Sequence, residues 1–77
     1  MTYDEIVKEY KKELFETLIE APRGTCIVTS LLMRNLKFIL SVYGVKDKVR
    51  TSTRAEFISL LIACGYTDID GDGRYIK

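Results

Sequence analysis

The chain has 77 residues, 47% apolar and 30% charged, with one Pro, five Gly and a formal net charge of +1; this is one small folded domain, too short for a large enzyme active site and too apolar for disorder. The absence of histidine removes the usual general base and the commonest metal ligand, and two cysteines, Cys26 and Cys64, are too few for a tetrahedral zinc site. Arg34 and Lys37 break the longest apolar run, and the charged stretch from Met1 to Glu20 has no signal-peptide character, so the chain reads as a cytoplasmic protein with no membrane segment.

Thr2-Tyr3-Asp4-Glu5 is a capping box that predicts a helix start, with Met1 and Ile6 placed as a hydrophobic staple. Tyr3, Ile6, Val7, Tyr10, Leu14, Leu18 and Ala21 then form a 3.6-residue stripe, and Pro22 ends the helix near Ala21. Arg23-Gly24 is a turn, and β-branched Thr25 to Thr29 predicts a brief strand. Thr29 or Ser30 is the expected cap of a second helix. Its apolar residues run from Leu31 to Tyr43 and leave only Ser30, Arg34, Lys37 and Ser41 as a polar stripe. That helix is therefore central, or it meets a partner. Gly44 and Val45 suit a left-handed helix end in which Val45 touches Leu40.

Val45 to Ser52 reads as a polar connector bearing Lys46, Lys48 and Arg50. Thr53-Arg54-Ala55-Glu56 is a second capping box, opening a third helix with Phe57, Ile58, Leu60, Leu61 and Cys64 inward and Arg54, Glu56, Ser59 and Ala63 outward. Gly65 ends it, and Tyr66 folds back on Leu61. Thr67 to Lys77 places two arms around Asp70-Gly71-Asp72-Gly73, which predicts a hairpin with a tight turn. The tyrosines, Tyr43 included, read as packing residues. Cys26 and Cys64 read as reduced core thiols, with a disulfide as the alternative.

Helix, short strand, helix, helix, hairpin is the order of an α+β winged-helix domain spanning residues 1–77. Ser30-Leu31, Phe38, Gly44, Ser52, Glu56-Phe57, Leu61, Gly65-Tyr66, Gly73 and Ile76 follow one another as in the C-terminal winged-helix segment of viral, phage and plasmid primase-helicases, which the run from Cys26 to Ile76 resembles. The family's domain rides on an ATPase and continues past the wing, whereas this chain has no phosphate-binding loop. The resemblance therefore implies a free-standing relative from a virus, plasmid or other mobile element, with a role in replication or transcription.

Residues 1–22 carry three basic groups against six acidic ones, residues 23–54 seven against Asp47 alone, and the remainder two against four. The basic middle points to an anion-binding surface. For a DNA partner, single- or double-stranded, the candidate residues are Lys46, Lys48, Arg50, Ser52, Thr53, Arg54, Ser59, Arg74 and Lys77, with Arg34 and Lys37 as an extension. The third helix offers no Asn, Gln or Arg beyond Arg54 for base edges, and the wing is acidic. Contacts to phosphates are therefore expected over operator reading. Asp68, Asp70, Asp72 and Gly73 match positions 1, 3, 5 and 6 of a calcium loop, but the chain stops short of the glutamate at position 12, so a wing turn without metal is expected. No cofactor and no enzymatic activity are expected. The alternative function is a protein-interaction module that docks its apolar second helix on another copy or on a replication protein.

Overall fold

A computed structural model covers Met1–Lys77 and orders six elements: α1 (Tyr3–Glu20), β1 (Cys26–Val28), α2 (Thr29–Val42), α3 (Thr51–Ala63), β2 (Thr67–Asp68) and β3 (Arg74–Ile76). The first helix starts as its capping box dictates. Thr2 Oγ1 accepts the Glu5 amide at 3.3 Å, and the Glu5 carboxylate accepts the Thr2 amide at 3.0 Å; these hydrogen bonds, led by the one from the Thr2 backbone, hold the Glu5 carboxyl below its usual pKa. Met1 stays largely exposed. Five of the seven stripe residues, Tyr3, Ile6, Val7, Leu14 and Leu18, are buried.

The three strands form one antiparallel sheet in the order β1-β3-β2, with Ile27 opposite Tyr75 and Asp68 also opposite Tyr75 on the other side. The last strand in the chain is thus the middle strand of the sheet. The hairpin loop, Ile69 to Gly73, is wider than the tight turn its glycines suggest. Asp68 Oδ1 accepts the amides of Asp70 and Gly71, and Asp70 Oδ1 accepts those of Asp72 and Arg74. Those local bonds organise five residues where a two-residue turn has no room for them.

Leu32, Leu36 and Leu40 of α2 meet Phe57 and Leu61 of α3, the α1 stripe, Tyr66 and Tyr75 in one core. Tyr10 and Phe57 pack with ring centroids 5.5 Å apart. Both helix ends at glycine follow expectation: Gly44 and Gly65 have φ of +75° and +91°, and Val45 and Tyr66 return their amides to the carbonyls of Leu40 and Leu61 at 2.9 and 3.0 Å.

Helix starts depart from expectation. Neither Thr29 nor Ser30 caps α2, whose N-cap is Val28; Thr29 is buried and spends both its amide and its hydroxyl on the Gly73 carbonyl, at 2.9 and 2.6 Å. The α3 helix starts at Thr51, ahead of the second capping box, so Thr53 lies inside the helix and is buried. Cys26 is exposed on the edge strand and not in the core, Cys64 is half-buried, and both are free thiols. Only part of the α2 circumference is covered: Leu31, Phe38 and Val42 stay exposed, as does Tyr43 beyond the helix end. No helix is long and apolar enough to cross a membrane.

Candidate nucleic-acid interface

The connector after α2 is held against α1 by one aromatic side chain. Arg50, the N-cap of α3, makes no side-chain cap. Its amide instead donates to the Tyr3 hydroxyl at 2.9 Å, and that hydroxyl lies 2.7 Å from Thr53 Oγ1. The Arg50 guanidinium sits 4.1 Å from the centre of the Tyr3 ring and pairs with Asp4 at 3.3 Å. Tyr3 therefore fixes where α3 begins and how the connector runs beside α2.

Between α2 and this connector lies a groove of about 650 Å³, lined by Ser30, Met33, Arg34, Lys37, Lys46, Asp47, Lys48 and Val49. Lys37, Lys46 and Asp47 also line a depression of about 350 Å³ that reaches Ser41 and Gly44. At the other end, Met33 and Val49 lead into one of about 280 Å³ bordered by Arg50, Thr51 and Arg54. The three adjoin one another at these shared residues and are together termed the channel. Six cations, Arg34, Lys37, Lys46, Lys48, Arg50 and Arg54, border the resulting channel against one carboxylate, Asp47. Among the six only Arg50 has an ion-pair partner within 4.0 Å. The uncapped start of α3 adds the positive pole of its helix dipole at the Thr51 end.

The structure divides the candidate residues. Lys46, Lys48, Arg50 and Arg54 come together on the channel with Arg34 and Lys37, and Ser52 is exposed in the adjoining first turn of α3. Thr53 presents no hydroxyl to solvent, because Tyr3 uses it. Ser59 is exposed but lies five residues beyond Arg54, about 140° around the helix at 100° per residue. Arg74 pairs with Asp70 across the hairpin loop at 3.6 Å. Lys77 is turned away from the hairpin tip: its Nζ donates to the carbonyls of Leu18, Ile19 and Ala21 at 2.9, 2.7 and 2.8 Å, closing the C-terminal end of α1. Its strong pull on a helix end, across most of the chain, has no local sequence signature.

The outward face of α3 is poor in donors. Glu56 is engaged by Lys11 of α1 at 3.3 Å, and Ser59, Ile62 and Ala63 complete the face. The hairpin loop carries Asp68, Asp70 and Asp72, whose first two carboxylates hold the loop's own amides. The cationic surface is therefore mainly on the α2 and connector side, and it approaches the hairpin loop at Arg54, whose guanidinium lies near Gly73. Comparison of the chain with protein-family models, curated proteins and solved structures finds no match.

Proposed function

We propose that this chain is a cytoplasmic winged-helix protein that binds nucleic acid through the phosphate backbone, in the replication or transcription of a virus, plasmid or other mobile element. The observation that carries the reading is the channel along α2 and the connector, where five cations without an ion-pair partner face a single carboxylate. Free ammonium and guanidinium groups along one groove suit a polyanion whose charges repeat at regular spacing. The order of helices and strands is that of a winged helix, and the resemblance to primase-helicase segments points to the same class of partner. Arg34, Lys37, Lys46, Lys48 and Arg54 make the contacts, with Ser52 and the first turn of α3 in support. Base reading has little to draw on, since beyond Arg54 the α3 helix presents no Asn, Gln or Arg for base edges.

Fluorescence anisotropy with labelled single- and double-stranded DNA at low and physiological salt tests this. Binding is expected to be saturable and to weaken steeply with salt, and Lys46→Glu with Lys48→Glu is expected to lower both the affinity, by about tenfold or more, and the salt slope, by about 0.7 to 0.9 per lost contact. Absence of binding to either form at low salt would overturn the proposal.

A further inference from the structure

The channel between α2 and the connector is not polar throughout. Met33 and Val49, both half-buried and packed against the core, line its widest part and also the depression at the α3 end. Around α2 at 100° per residue, Met33 lies about 60° from the buried Leu36 on one side and about 40° from Lys37 on the other, with Arg34 farther out at about 100°. On the connector, Lys46 and Lys48 are exposed next to the half-buried Val49. The channel thus has an apolar floor between cationic walls, and from Ser30 to Ser41 it follows about 16 Å of α2 at 1.5 Å per residue.

A duplex leaves such a floor unfilled, because its bases are paired and stacked and its phosphates lie outermost. The two surfaces that a winged helix offers to a duplex are also unsuited to one here. The outward face of α3 presents Glu56, Ser59 and Ile62, and the hairpin loop presents Asp68, Asp70 and Asp72. A single strand has the complementary make-up, with base faces free to lie on apolar side chains and phosphates free to meet cations beside them. The thioether of Met33 is suited to the face of an aromatic ring. We propose that the channel holds a single strand of nucleic acid, its bases on Met33 and Val49 and its phosphates on Arg34, Lys37, Lys46 and Lys48. The inference rests on the nucleic-acid reading and adds the form of the strand. Every base has an apolar face, so the contact carries little sequence preference.

Fluorescence anisotropy at low salt tests it with strands of about twelve nucleotides: oligothymidylate, oligouridylate, a duplex of equal length, and an abasic strand that keeps the phosphates and lacks the bases. The better-bound of the first two identifies the sugar, and the unaltered chain is expected to hold it at least about tenfold more tightly than the abasic strand and the duplex, although the duplex carries more charge. Met33→Gln keeps the side-chain length and removes the apolar floor. With an intact fold by circular dichroism, it is expected to weaken the base-bearing strand at least about fivefold while leaving the abasic strand and the salt slope unchanged. Lys46→Glu with Lys48→Glu is expected to weaken both strands alike. Salt-sensitive binding in which the duplex or the abasic strand equals the base-bearing strand would overturn this inference and leave the phosphate reading standing, as would a folded Met33→Gln that binds like the parent. Binding of no strand at all would overturn both.

Discussion

Tyr3 occupies the position that most constrains its surroundings. Its ring supports the Arg50 guanidinium, and its hydroxyl takes the Arg50 amide and meets Thr53 in a buried site. Tyr3→Phe keeps the ring and strands both polar partners, so urea unfolding is expected to show a loss of about 1 to 3 kcal/mol. The Thr-x-x-Glu pattern at Thr53 reads as a capping box because sequence shows only local partners. The group that sets the start of α3 lies 47 positions away on α1, out of reach of any pattern of neighbours. Tyr66 gives a pH dependence at the same scale. Burial first, and then the nearby Cys64, push its phenol above the ordinary value of 10.0, and burial does the same to Tyr10. A raised folded-state pKa means that the neutral phenol is preferred in the fold. The stability it contributes is complete below about 10 and is lost as pH rises through the higher folded value. Thermal melts are therefore expected to show an alkaline decline that is shallower in Tyr66→Phe.

At the scale of elements, the hairpin loop meets the start of α2 most closely at one glycine. A Cβ on Gly73 would lie 2.7 Å from Thr29 Oγ1, and φ there is +94°, whereas Gly71, at +69°, has open space around it. Gly71→Ala is expected to cost about 1 kcal/mol from the left-handed backbone alone. Gly73→Ala is expected to exceed it clearly in the same denaturation assay, because Thr29 must move and weaken its bonds to the Gly73 carbonyl. Lys77 joins the sheet to α1 in a comparable way, and Lys77→Met, which keeps the aliphatic stem, is expected to lose about 1 to 2 kcal/mol by leaving three carbonyls without their cation. All six elements were legible in the sequence, since periodicity, glycine ends and the Thr2 box are local signals. Two helix starts were not, because α2 begins directly from β1 and α3 is anchored by Tyr3.

At the scale of the molecule, α1 with its acidic outer face and the cationic channel of α2 and the connector give a nearly neutral chain a strong separation of charge. The basic middle was visible in the sequence. Which of its charges lie free on one surface was not, because pairing and capping draw on residues far apart, as Asp4 with Arg50 and Lys77 with Leu18 demonstrate. Packing is shared in the same manner. Leu36 is fully buried where helices and sheet meet, so Leu36→Ala is expected to remove about 2 to 5 kcal/mol, a large part of the 5 to 15 kcal/mol typical of a whole domain. One transition moving to lower urea is expected, without separate melting of helices and sheet.

The middle place of β3 in the sheet has a consequence for biosynthesis. Cys26 pairs with Ile76 and Val28 with Arg74, so β1 leaves the ribosome long before its only ladder partner exists. Until residues 74–76 emerge, a nascent chain can bring its helices together while β1 has no neighbouring strand and the end of α1 lacks the Lys77 ammonium. The sheet is accordingly expected to close after the helices pack, because joining Cys26 to Ile76 closes a long loop, and pulse-labelled hydrogen exchange that protects residues 74–76 last would check it.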